Sequence, residues 1–155
     1  METEIQYRLA SEFSSEEITV FKKIVMEAGE VSPDTFDSLI LKQPRLLFVG
    51  NTSNPVGVGA LKVPNDSYKK RVFASAGSSY DSADFDVELG WVVSRQSGKG
   101  SRMAALLAEG TRLYATVREE NLHMQHLLEK NGFRQSGNHY LSKDRKYYLL
   151  LFVKL

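Results

Sequence analysis

The chain has 155 residues, 42% of them hydrophobic and 25% charged, a composition that suits one compact domain over residues 1–155 with a core of its own. Twenty basic residues stand against 19 acidic ones, a formal charge of +1, so no long-range attraction to nucleic acid or to an anionic membrane is expected. The absence of cysteine excludes disulfides, cysteine-rich zinc sites and a cysteine nucleophile.

Met1-Glu2-Thr3-Glu4 is acidic with no apolar stretch behind it, unlike a signal peptide. The longest apolar run, Tyr147 to Val153, falls far short of the roughly 18–20 residues that span a bilayer. A soluble, cytoplasmic protein is therefore expected. The basic clusters Lys69-Lys70-Arg71 and Lys143-Asp144-Arg145-Lys146 read as solvated loops.

In chain order, Ile5 to Leu9 alternates weakly and predicts a strand. Ser14 or Ser15 caps a helix with Glu16 and Glu17 in its first turn, Ile18, Phe21, Ile24 and Val25 at helical spacing, and Gly29 as a stop. Pro33-Asp34 opens a second short helix carrying Phe36, Leu39 and Ile40, closed by Pro44. The period then changes. Leu46 to Val49 and the Gly-rich Val56 to Val63 read as a hairpin about a turn from Asn51 to Pro55. Pro64 to Asp84 is polar and Ser-rich and predicts a long loop with one helical turn around Tyr68 to Ala76.

Beyond that loop, Phe85 to Val93 predicts a strand, Ser101 to Thr111 a helix, Leu113 to Val117 a strand and Asn121 to Asn131 a helix. Strands follow near Phe133 to Ser136 and at Tyr147 to Val153. This alternation predicts an α+β protein of three-layer-like build: a mixed, mostly antiparallel central sheet of about six to seven strands with helices on both faces.

The chemistry concentrates where a buried strand runs through a glycine turn into a helix, Val87 to Arg102. Gly98 and Gly100 let the backbone approach a ligand. The amides at the helix start form a nest for a diphosphate or carboxylate, and Lys99 and Arg102 add positive charge. A P-loop is disfavoured, because Gly98-Lys99 is followed by Gly100 and Val93 stands where its first glycine belongs. The dinucleotide pattern Gly-x-Gly-x-x-Gly fails at Met103.

Arg95-Gln96-Ser97-Gly98-Lys99-Gly100 matches the pattern Gln/Arg-x-x-Gly-x-Gly/Ala, and in this the chain resembles the GCN5-related N-acetyltransferase (GNAT) family. In an alternative register, which we prefer, the turn follows the family's Arg-Gly-x-Gly-x-Gly with a later Leu pair, here Leu106-Leu107. Ser97 then replaces the Arg and Arg102 the last Gly. Glu88 to Val93 resembles the family's fourth strand. Asn121, Leu127, Glu129, Lys130, Gly132 and Phe133 match the helix and exit that follow. The resemblance is firm over Val87 to Phe133.

What the resemblance implies is an acetyltransferase that uses acetyl-CoA as co-substrate, needs no metal, and acts on a primary amine of a small molecule or protein. Its diphosphate would lie on the amides around Ser97, Gly98, Lys99, Gly100, Ser101 and Arg102. Its pantetheine arm would fill a gap between splayed fourth and fifth strands, touching the backbone of Trp91 and Val93 near Asn121. A homodimer is also expected on this ground, with neither nucleic acid nor membrane as partner.

Transfer to an amine needs a base, because an ammonium has no lone pair. Glu88, on the strand that would hold the thioester, is the candidate; the plainer role is a carboxylate topping a strand. The family's proton-donating Tyr is replaced by Leu128. Tyr114 and Tyr140 are alternative donors or packing residues. Asp81, Asp84 and Asp86 could draw in a cationic amine or simply be solvated. His123 and His126 lack a visible third metal ligand. Leu128 also leaves open a non-catalytic acyl-CoA-binding sensor or interaction module, and a third reading is an anion-binding domain sharing only the turn.

Overall fold

The computed structural model describes residues 4–96 and 98–155. Hydrogen bonding orders the strands as β1 (Ile5–Leu9), β2 (Arg45–Val49), β3 (Gly57–Lys62), β4 (Val87–Ser94), β5 (Leu113–Arg118), β8 (Tyr148–Lys154) and β6 (Arg134–Gln135), with β7 (Tyr140–Leu141) also on β8. β4–β5 is parallel, whereas β1–β2, β2–β3, β5–β8, β6–β8 and β7–β8 are antiparallel. Together with the five α-helices among the described residues this is the mixed, mostly antiparallel α+β architecture expected. The chain divides into two compact units, residues 1–63 with 89–107 and residues 64–88 with 108–155.

The first unit contains β1 (Ile5–Leu9), α1 (Ser15–Glu27), α2 (Pro33–Ile40), β2 (Arg45–Val49), β3 (Gly57–Lys62), most of β4 (Val87–Ser94) and α4 (Lys99–Leu107). Local chemistry starts the first two helices. The Ser14 hydroxyl accepts from Glu17 N–H while the Glu17 carboxylate accepts from Ser14 N–H, a reciprocal cap, and Ser32 accepts from Thr35 N–H with Pro33 at the first helical position. Backbone and side-chain bonds at Ser14 hold the Glu17 carboxyl below its usual range.

Strand alternation divides β3 between two faces. Val58 and Ala60 join Leu46 and Phe48 of β2 under α1 and α2, in a core with Phe13, Phe21, Phe36 and Trp91. Gly57 and Gly59 face the other way, toward α4. A Cβ on Gly57 would lie 2.5 Å from Met103 Sδ, and one on Gly59 2.7 Å from Leu107 Cδ1, both side chains fully buried. The glycines of this strand are thus the seat of α4, and helices cover both faces of this part of the sheet.

The second unit contains α3 (Asp66–Ala76), the start of β4, β5 (Leu113–Arg118), α5 (Leu122–Lys130), β6 (Arg134–Gln135), β7 (Tyr140–Leu141) and β8 (Tyr148–Lys154). β8 is its spine, pairing with β5 over Leu113↔Lys154 to Arg118↔Leu149 and with β6 and β7 on its other edge. Val72, Phe73 and Ala76 of α3 pack with Phe85, Tyr114, Leu151 and Val153.

Two expectations are corrected here. Pro64 to Asp84 is not a long loop with a single helical turn, because the turn expected at Tyr68 to Ala76 is part of α3, which runs for eleven residues and ends at Gly77, which takes φ +66°. Its low mean hydropathy hid a buried stripe at helical spacing. Lys69 accordingly is not a solvated loop residue: it is 7% exposed, and its Nζ donates to Phe85 O at 2.8 Å. Residues 143–146 do form an exposed turn. Among the described residues no helix is long and apolar enough to cross a membrane.

Candidate functional site

In the first unit, β4 leads through a tight turn into α4. Trp91 sits inside the strand with φ +53°, a left-handed conformation that a bulky residue rarely adopts and that marks a local break in the pleat. Its ring supplies the compensation: it stacks on Phe36 at 4.9 Å between centroids, meets Phe21 edge-on at 6.0 Å, and carries the Lys62 ammonium 5.2 Å away. Val93 is half-buried against the same core.

The turn itself is built by local bonds. Ser94 Oγ donates to Gln96 O at 2.8 Å, and Arg95 N–H donates to Val56 O at 2.7 Å. The Arg95 guanidinium reaches Pro55 O (3.4 Å) and Asn54 Oδ1 (3.5 Å), so it engages the β2–β3 turn. Gly98 takes φ +83°, and a Cβ there would meet no atom within 4 Å, so it is kept for its backbone conformation. Ser97 lies outside the described residues.

Helix α4 begins at Lys99, two residues before the predicted start, and ends at Leu107, four before the predicted end. Lys99, Gly100, Ser101 and Arg102 are therefore its first four residues, whose amides have no acceptor within the helix. The Lys99 amide reaches Gln96 O only at 3.4 Å. Helices α1, α2 and α3 each place an acidic residue in the first turn, but α4 has none and carries Lys99 and Arg102 there. Positive charge at this end of a helix opposes the dipole, which makes the turn a candidate for receiving an anion.

In the second unit, Glu88 is 3% exposed, at the start of β4. β4 and β5 pair at Val87↔Leu113 and Glu88↔Tyr114, which sets Glu88 and Tyr114 side by side on one face of the sheet. Tyr68 of α3 donates its phenol to Glu88 Oε2 at 3.3 Å. Burial first, then the charge of Glu88, pushes the Tyr68, Tyr114 and Tyr140 phenols well above the usual tyrosine range, so all three stay protonated. The hydroxyls of Tyr114 and Tyr140 are buried and have no hydrogen-bond partner among the described residues.

Asn121 caps α5, its Oδ1 accepting from Met124 N–H at 3.1 Å. Leu128 is core, 1% exposed. Asp81 accepts from Ala83 N–H at 2.9 Å and Asp86 pairs with Arg112 at 3.1 Å, so both have structural partners. No group of three or more metal-ligating side chains occurs among the described residues. Glu88, Tyr114 and Tyr140, singled out from the sequence, thus come together with Tyr68, which was not. The single helical turn expected at Tyr68 to Ala76 lies within α3, but nothing local shows that Tyr68 meets Glu88.

This architecture is that of the acyl-CoA N-acyltransferases. An acyl-CoA N-acyltransferase from Pseudomonas aeruginosa superposes with a TM-score of 0.68 at 15% identity, covering 99% of this chain and 100% of that one. FeeM, an N-acyl amino acid synthase from uncultured soil microbes, gives 0.69 at 9% identity over 98% and 92%. A Bacillus subtilis acetyltransferase in complex with CoA gives 0.60 at 14% over 98% and 99%. The chain therefore has the GNAT fold. No protein-family model and no curated protein matches the sequence.

Proposed function

We propose that this protein transfers an acetyl group from acetyl-CoA to a primary amine, by direct attack of the amine on the thioester while both substrates are bound. The observation that carries the reading is the passage from β4 through Gly98 into an α4 whose first turn holds Lys99 and Arg102 and no acid, in a chain of this fold. The diphosphate would lie on the amides of Gly98 to Arg102. The pantetheine amides would bond to the backbone at Trp91 and Val93, with Asn121 nearby.

Glu88 takes the proton of the incoming ammonium. Being 3% exposed, it does so through a bridging water. The nitrogen then attacks the thioester carbonyl, and the tetrahedral adduct collapses to the amide as the C–S bond breaks and the nitrogen's surplus proton passes through water to the departing CoA thiolate. With Leu128 where the resembled family often has Tyr, the thiolate leaves without a dedicated acid, as a thiol of pKa near ~8.5 can. Glu88→Gln is expected to lower turnover by about 10²–10⁴-fold while the heat of acetyl-CoA binding stays the same. Undiminished turnover removes Glu88 from the mechanism.

The second reading is an acyl-CoA-binding sensor or interaction module without catalysis, favoured by the buried Leu128 and the near-complete burial of Glu88. Incubation with acetyl-CoA and a panel of small amines and peptides separates the two, since only the enzyme releases free thiol with acylated product. Calorimetry with CoA thioesters tests what both share. No heat and no rise in melting temperature at saturating thioester would sink both.

A further inference from the structure

We propose that Tyr68 is a positioning residue for Glu88, so that helix α3 belongs to the catalytic apparatus; this rests on the acyl-transfer reading with Glu88 as base. Two elements meet the carboxylate. Tyr68 of α3 donates to Glu88 Oε2 at 3.3 Å, and Tyr114 of β5 lies beside Glu88 on one face of the sheet.

Tyr68 is held in place from its own helix. Val72, Phe73 and Ala76 anchor α3 in the core with Tyr114, Leu151 and Val153. Next to Tyr68, the buried Lys69 ties α3 to Phe85 O at 2.8 Å, two residues before β4 begins. A distance of 3.3 Å is long for a hydroxyl donor, and such bonds in catalytic sites commonly tighten once substrates are in place. The other titratable groups around Glu88 are Tyr114 of β5 and Tyr140 of β7, with Arg71 and Tyr147 acting in turn on Tyr140. Among these phenols, Tyr68 is the one with a hydrogen bond to the carboxylate.

The test is a double-mutant cycle over Tyr68→Phe and Glu88→Gln in the full chain. Difference infrared spectra follow the Glu88 carboxylate stretch, assigned by its loss in Glu88→Gln. Without the phenol O–H the carboxylate loses a donor, so in Tyr68→Phe the band shifts in frequency. Tyr68→Met, of similar reach and without a donor, shifts it the same way and serves should Tyr68→Phe fold poorly. In turnover with acetyl-CoA and the best amine of the panel, Tyr68→Phe loses about tenfold in the native background and less than about twofold in Glu88→Gln. An unmoved band, or equal loss in both backgrounds, overturns the proposal. If Glu88→Gln itself leaves turnover intact, the base assignment fails, and the band still decides whether Tyr68 governs Glu88.

Discussion

Each of the two units holds a cluster of aromatic rings, and the clusters are built differently. In the first, Phe13, Phe21, Phe36, Phe48 and Trp91 meet at centroid distances of 4.8 to 6.1 Å. Those four phenylalanines carry no polar atom, and the cluster needs none. In the second, Phe73 and Phe85 are joined by Tyr114, with Tyr68 and Tyr140 packed alongside. Its hydroxyls are pushed into a region that also buries the Glu88 carboxylate. A phenylalanine would fill the same space without desolvating a hydroxyl, which costs roughly 1–3 kcal/mol when left unpaired. The lesson is that the first cluster is explained by stability alone, whereas the second carries polar groups that stability does not require.

Alkaline titration should separate the clusters most sharply. The three phenols hold their protons more tightly in the folded chain than in the unfolded one. The stability linked to them is therefore whole below about pH 10 and is lost as pH rises above it, by about 1.4 kcal/mol per pH unit for each phenol. Urea midpoints measured from about pH 9 to about pH 11 should fall steeply, and replacing Tyr68 and Tyr140 by Phe should cut the slope to about a third. An unchanged slope would mean that these hydroxyls ionise as freely in the folded protein as in the unfolded one. Next in size, Phe21→Ala, fully buried in the first cluster, should cost about 3–5 kcal/mol with no dependence on pH over that range. The smallest effect is expected from Tyr114→Phe, which removes an unpartnered hydroxyl and should raise stability by about 1 kcal/mol. A loss of similar size would show that water satisfies that hydroxyl.

Much of the fold was legible because its signals are short-range. The Ser14–Glu17 cap, the Pro33 start, the switch to strand period at Leu46 and the glycine turn before α4 each sit within a few residues of what they specify. Helix α3 was read as a single turn because its exposed positions are polar, while its buried positions are too few to dominate a local average. The two-residue strand β7 left no period to read, since Tyr140 and Leu141 become a strand only by pairing with Leu149 and Tyr148.

For the site, the strand, glycine turn and helix start from Val87 to Arg102 were enough to nominate an anion-binding turn, because it is one consecutive stretch of chain, whereas Glu88 was nominated as base through the family resemblance. Tertiary structure alone decided that Trp91 adopts a left-handed backbone, a strain repaid by Phe21 and Phe36 from distant helices. It alone also turned Gly57 and Gly59 toward α4 and brought Tyr68, 20 residues away in sequence, to the Glu88 carboxylate. A pattern in the chain records what a residue does with its neighbours along the backbone. Which side chains then share one buried space follows from the packing of whole helices and strands, and that is determined only when all of them are in place.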